Sequence, residues 1–176
     1  LKRASGWATV TEVTTATTMK ATLSSAGTNF NHFYRFQKPG VPTEYYLIEN
    51  RQATGRDAIL PSSGIAVWHC DELGDRDNQS LAYNTSHANY EVTLMQADNR
   101  WDFQNNRNDG DLADLWFEGN PASGYPGEFT DDSQPSARWW DGSRSGLIMS
   151  EISVSGTDMT VQLGFGMSLR TGLVSV

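Results

Sequence analysis

The chain has 176 residues, of which 38% are hydrophobic and 11% aromatic, and its formal net charge is −8. This length and aromatic content are typical of one folded domain. The single cysteine, Cys70, excludes an internal disulfide and a cysteine-based zinc site. The negative charge disfavours nucleic-acid binding, and no apolar run approaches the ~20 residues that span a bilayer.

The first half of the chain predicts strands in four places. Residues 1–23 are rich in threonine and valine, and residues 44–50 in tyrosine and aliphatic side chains, as strands are. In residues 30–37 every second side chain is aromatic or histidine, which is the period of a strand. Residues 64–72 are apolar on both faces and therefore predict a central strand. Within it we expect His69 to be a hydrogen-bonded core or edge histidine and Cys70 an inert buried thiol.

The second half predicts fewer strands and a long polar connection. Residues 90–98 predict a strand, residues 99–145 are irregular and rich in Gly, Asn and Asp, and residues 145–153 and 159–165 predict a hairpin. The fold class is therefore all-β: one antiparallel, β-sandwich-like domain over residues 1–165, with long irregular Asp/Asn-rich loops and little helix. Residues 166–176 are expected to be a tail or linker.

The acidic segment 96–114 carries the best candidate site. Four of its carboxylates, Asp98, Asp109, Asp111 and Asp114, stand among asparagines and a glycine. Calcium prefers six to eight oxygen ligands from flexible loops of this kind, although the spacing is not that of an EF-hand. The segment predicts a calcium site, and the alternative is a solvated loop whose Asp and Asn side chains form turns.

Two further features have alternative interpretations. Asp71 directly follows the predicted central strand, where it is either a fifth calcium ligand or a cap of the strand end. The adjacent Trp139 and Trp140 either expose a ring that stacks on sugars, as in a carbohydrate- or surface-binding module, or cover the hydrophobic core.

Several segments, taken in order, resemble the region downstream of the active site in immune inhibitor A-like secreted zinc metallopeptidases. The central one, "EYYLIENRQATGRDAILPSSGIAVWHCDE", is similar to the family's "YFLIENRQ…GFD…LPGSGLLIWHVDE". The resemblance continues through "HANYEVTLMQAD", "GDLADLWFEG" and "WDGSRSGLIMSEISVSGTDMTVQL" and spans residues 5–163. The chain departs from the family at Cys70, where an aliphatic residue is usual, and at Asn99, where glycine is usual.

The resemblance implies a non-catalytic, calcium-stabilised C-terminal portion of a metallopeptidase. The family binds zinc through a His-Glu-x-x-His helix, which this sequence lacks, so zinc belongs to the parent protein's catalytic part and this chain alone is expected to be inactive. The resemblance also implies calcium ligands at Asp98, Asp111, Asp114 and Asp71. The expected partners are the catalytic part of the same parent and the parent's protein substrate. An inactive peptidase-like parent is the alternative.

The expected location follows from composition. The charged fraction of 19% is low, cysteine is almost absent, and threonine, serine, asparagine and glycine are abundant, which favours a secreted or cell-surface bacterial protein. The start at Leu1 suggests a piece of a larger precursor.

Overall fold

A computed structural model describes residues 9–14, 19–25, 32–74 and 90–166. It contains one 3-10 turn, Gly55–Asp57, and eight strands in the described ranges: β1 Thr9–Glu12, β2 Met19–Ser24, β3 His32–Gln37, β4 Glu44–Arg51, β5 Gly64–Asp71, β6 Val92–Leu94, β7 Leu147–Ser150 and β8 Asp158–Phe165. Within those ranges no helix has the length and apolar character needed to cross a bilayer.

The strands form two sheets. A five-stranded sheet has the order β1-β3-β4-β5-β6, and a three-stranded sheet has the order β2-β8-β7. In the larger sheet β4 and β5 pair along their whole length, from Glu44 opposite Asp71 to Arg51 opposite Gly64. In the smaller sheet β8 lies between β2 and β7 and is antiparallel to both.

The core lies between the two sheets because alternate side chains of β2, β3, β4, β5, β7 and β8 are mostly apolar and face inward. Trp116, from the long connection after β6, is completely buried in the same core, and its indole nitrogen donates to Met95 O at 3.0 Å. The buried strand residues of this core include Tyr34, Phe36, Tyr46, Ile48, Ile65, Val67, Ala21, Leu23, Met159, Val161, Leu163, Leu147 and Met149.

The all-β fold class is confirmed, with two corrections of detail. β1 pairs with β3 in parallel, whereas an antiparallel arrangement was expected throughout. The strand predicted over residues 90–98 is regular only at Val92–Leu94. Beyond it, the Met95 amide still donates to Val67 O in β5, and the Ala97 amide donates to Asp114 O in the long connection.

The connection over residues 99–145 has no regular secondary structure but is fixed to both sheets. Trp116 forms an antiparallel bridge with Ile65 at the start of β5, and Phe129 forms one with Met149 in β7. These backbone bridges hold the acidic segment at one end of the larger sheet. Of the expected tail, residues 167–176 lie outside the described residues.

Candidate metal site

Three of the predicted ligands come from two loop segments that run side by side. Asp98 follows β6, and Asp114 precedes the Trp116 bridge to β5. The hydrogen bond from the Ala97 amide to Asp114 O, at 2.8 Å, joins the segments one residue before Asp98. Backbone pairing therefore brings together carboxylates that are sixteen positions apart.

The side chains of Asp98, Asp111 and Asp114 form one group, here called the Asp cluster. One carboxylate oxygen from each residue lies within 4.8 Å of the other two. Since calcium–oxygen distances are about 2.3–2.6 Å, two oxygens on opposite sides of one calcium ion are about 5 Å apart. The three oxygens are therefore close enough to bind a single ion.

Hydrogen bonds from neighbouring groups position the three carboxylates. Asp114 Oδ1 accepts from the side-chain amide of Gln96, and its Oδ2 accepts from the Asp111 amide, both at 2.6 Å. Asp111 Oδ1 accepts from the Ala113 amide at 2.7 Å, and Asp98 Oδ1 accepts from the Arg100 amide at 3.0 Å. Each carboxylate is thus held in place by donors of the chain itself.

Asp98 Oδ2 is the buried oxygen of the Asp cluster that lacks a hydrogen bond within the described part of the chain. The Asp98 side chain is 1% exposed, and this oxygen receives no hydrogen bond from the described residues. Its nearest cation is the Arg100 side chain, whose Nε lies 3.4 Å away and whose Nη1 also approaches Asp111 at 3.5 Å. The Arg100 side chain is 58% exposed, so one solvated guanidinium contacts two of the three carboxylates.

Burial and mutual repulsion disfavour ionisation of this cluster. Burial, together with the charge of Asp111, raises the pKa of Asp98 above its ordinary value. Burial and the same neighbour raise the pKa of Asp114 to about 6. These are the shifts expected of carboxylates crowded in a poorly solvated site, and a bound cation would reverse them.

The other two predicted ligands lie outside the Asp cluster. Asp109 is exposed at the rim of a neighbouring cavity. Asp71 is at the far end of β5 from the Trp116 bridge, about 20 Å away at the rise of a strand. Its Oδ1 accepts from the Leu73 amide at 3.0 Å, which is the strand-end cap that was considered as its alternative role.

Sequence reasoning missed two residues that shape the cluster. Gln96 bridges the two loops, since its amide nitrogen donates to Asp114 and its oxygen accepts from the Asp102 amide at 2.6 Å. Arg100 is the second, through its contacts with Asp98 and Asp111. The only available signal was position, because both residues lie within two positions of Asp98.

A second group of buried charge, here called the His69 cluster, consists of Lys38, Glu44, His69 and Asp141. Glu44 is 3% exposed, and its carboxylate binds Lys38 Nζ at 2.6 Å, His69 Nε2 at 3.1 Å and the Trp140 amide at 2.8 Å. Lys38 also binds Asp141 at 2.8 Å. His69 is completely buried, as expected of a core histidine, and burial lowers its pKa.

The two adjacent tryptophans pack inward. Trp139 is 4% exposed and stacks on Tyr46 at a centroid distance of 5.2 Å. The Trp140 ring lies parallel to the His69 ring at 4.3 Å. Trp139 therefore belongs to the core, whereas Trp140 is half-buried and keeps part of its ring at the surface. Cys70 is buried, and burial raises the pKa of its thiol to about 12.

Comparisons of this chain with models of protein families, with curated proteins and with solved structures give no match.

Proposed function

We propose that this chain is a calcium-stabilised, non-catalytic region of a secreted zinc metallopeptidase. The observation that supports the calcium site best is Asp98 Oδ2, a buried carboxylate oxygen without a hydrogen bond from the described residues, beside Asp111 and Asp114. The peptidase assignment rests on the resemblance of the segments from residue 5 to residue 163 to the immune inhibitor A-like family.

The donor set favours calcium over other metals. All three side chains offer carboxylate oxygens, which are hard ligands, and no sulfur or imidazole belongs to the group. The loops that carry them are irregular, which suits the flexible coordination of calcium better than the strict octahedron of magnesium. Calcium would neutralise the cluster and join the 96–98 segment to the 111–114 segment.

The proposed role is to stabilise the parent protein, and the chemistry belongs to the parent's zinc site. The chain has no His-Glu-x-x-His sequence, so it has neither the paired histidines nor the general base of that reaction. An ion that binds only the folded state adds stability by mass action, about 2.7 kcal/mol at a concentration one hundred times its dissociation constant.

The test is thermal unfolding in calcium and in a chelator. For the 176-residue chain we expect calcium to raise the melting temperature by about 5–10 °C over EGTA, with a smaller rise in magnesium. Asp98→Asn, Asp111→Ala and Asp114→Ala are each expected to lower the melting temperature in calcium and to remove the difference. Asp109→Asn is the matched control in the same loop and should keep it.

Equal melting of the wild type in calcium and in EGTA would rule out the calcium site. The peptidase assignment is tested separately by the sequence encoded upstream of Leu1. We expect a His-Glu-x-x-His motif there, and a protease-like stretch lacking those residues would identify an inactive parent instead.

A further inference from the structure

An apolar cavity of about 130 Å³ lies beside the Asp cluster on the outer face of the larger sheet. Its walls are side chains of β5, β6 and the long connection, including Trp68, Leu94, Phe103 and Leu115. This volume is close to that of the dry protein cavity of roughly 150 Å³ that admits benzene, so it accommodates one side chain.

Two strongly exposed apolar side chains belong to the loops that supply the lining. Ile59 is 92% exposed and precedes the lining residue Leu60, and Leu112 is 66% exposed and lies two positions before Asp114. The Ser62 hydroxyl donates to Leu112 O at 3.2 Å, which fixes the two loops next to each other. Apolar residues around a concave centre are typical of a contact site for another polypeptide.

The charges of the cavity favour a cationic occupant. Arg51 is the positive group in the lining, and it is balanced by Glu49 at 3.8 Å and Asp57 at 3.5 Å. Asp109 is exposed at the rim and has no ion-pair partner among the described residues. Asp114 contributes a second carboxylate to the wall. The cavity therefore combines an apolar interior with an excess of negative charge.

We infer that this cavity is a docking site for an arginine or lysine side chain of a partner polypeptide. The aliphatic stem would lie against Trp68, Phe103 and Leu115, and the charged head would reach Asp109 at the rim. Long basic side chains bury their stems in this way while the charge stays at the surface. Asp109, which lies outside the Asp cluster, thereby has a role that does not involve the metal.

The test is an NMR titration of the 176-residue chain with Nα-acetyl-arginine methylamide, following the indole N–H of Trp68. That group donates to Glu49 at 2.8 Å and therefore reports on the cavity wall. We expect a saturable shift. The citrulline derivative, which is neutral and nearly the same shape, should bind about fivefold more weakly, and Asp109→Asn should weaken arginine binding about threefold. Ala66→Leu, which fills the cavity, should abolish the shift.

Glu118→Gln is the matched control, because Glu118 is an exposed carboxylate outside the cavity, and it should leave binding unchanged. No saturable shift, or equal affinity for the arginine and citrulline probes, would overturn the inference. If Ala66→Leu does not fold, the Asp109→Asn titration decides alone.

These measurements distinguish a failure of the docking proposal from a failure of the proposed calcium site. Asp98→Asn should remove calcium-dependent melting and keep arginine binding, whereas Asp109→Asn should keep calcium-dependent melting and weaken arginine binding about threefold. Titrations in calcium and in EGTA then show whether Asp114, which belongs to both, couples the two ligands.

Discussion

The Asp cluster and the His69 cluster bury charge at opposite ends of β5, and they balance it differently. In the His69 cluster the buried carboxylate of Glu44 binds an ammonium group, an imidazole and a backbone amide of the same chain. In the Asp cluster one exposed guanidinium contacts two of the three carboxylates, and one buried oxygen is left without a hydrogen bond from the described residues. The buried carboxylate of the first cluster has its partners within the chain, although His69 Nδ1 receives no hydrogen bond from the described residues. In the second cluster the carboxylates outnumber their cations. In this sense the first cluster is complete and the second is incomplete.

This difference follows from the origin of the two clusters. Lys38 and Glu44 flank one tight turn between β3 and β4, where the Lys38 amide also donates to Glu44 O at 3.0 Å, so the ion pair forms whenever the turn does. The Asp cluster is assembled from loop segments that only the long connection brings together. Only the central ion pair of the His69 cluster is local, since its contacts with His69, Trp140 and Asp141 join distant positions.

The largest expected effect comes from removing the centre of the complete cluster. Glu44→Ala leaves Lys38, His69 and the Trp140 amide without their shared acceptor, and we expect a loss of about 3 kcal/mol in the free energy of unfolding. Urea unfolding in calcium and in EGTA measures it, and the loss should be the same in both. Glu44→Gln keeps an oxygen acceptor and should cost less. A Glu44→Ala variant as stable as the wild type would remove the basis of the comparison.

A pH series in EGTA tests the incomplete cluster. The Asp114 carboxyl has a folded-state pKa of about 6, whereas an unfolded aspartate titrates near 3.9. As pH falls from 7 to 4, the folded chain takes up a proton at Asp114 before the unfolded chain does, so this group stabilises the fold progressively. Wild type should therefore gain stability relative to Asp114→Asn over this range.

The comparison with Asp114→Asn cancels the opposite contribution of His69. Burial lowers the pKa of His69, so the unfolded chain takes up that proton first and stability falls below about pH 6.5 in both proteins. Saturating calcium should suppress the Asp114 contribution. A constant stability difference between wild type and variant from pH 7 to 4 would contradict the assigned burial of Asp114.

The smallest effect is expected at the edge of the complete cluster. The Asp141 side chain is 57% exposed, and its pKa is held below its ordinary value by hydrogen bonds from Lys38 and Ser143. Because Lys38 keeps Glu44 when Asp141 is changed, Asp141→Asn should cost less than about 1 kcal/mol. Chemical denaturation at low and high salt measures this cost, which should shrink further in high salt. A cost equal to that of Glu44→Ala would show that Lys38 depends on both acids.

The strands were predictable because their patterns are local. The alternation of Tyr34 and Phe36, and the apolar character of both faces around Val67, directly express the period of a strand and its burial on two sides. The parallel pairing of β1 with β3 was not predictable, because nothing in residues 9–12 specifies the direction of a partner.

The site was predictable in part for the same reason. The density of aspartates between residues 96 and 114 identified Asp98, Asp111 and Asp114 as candidates, but it equally suggested Asp109, which is exposed. The three clustered aspartates differ from Asp109 because of the backbone hydrogen bond between Ala97 and Asp114, a contact across seventeen positions. Asp71 was grouped with them by residue type, although a full strand length separates it from the cluster.

The pairing of β2 with β8 determines when the smaller sheet can form during synthesis of the chain. Met19 lies opposite Leu163 and Ser24 opposite Asp158. The Asn50 side chain links the two ends of this pairing, because its amide nitrogen donates to Leu23 O and Gly156 O, both at 2.9 Å. The smaller sheet cannot close until the ribosome has released nearly the whole described chain. We therefore expect the domain to fold slowly and late in synthesis. Until β8 is available, the apolar face of the larger sheet is not covered by the smaller sheet.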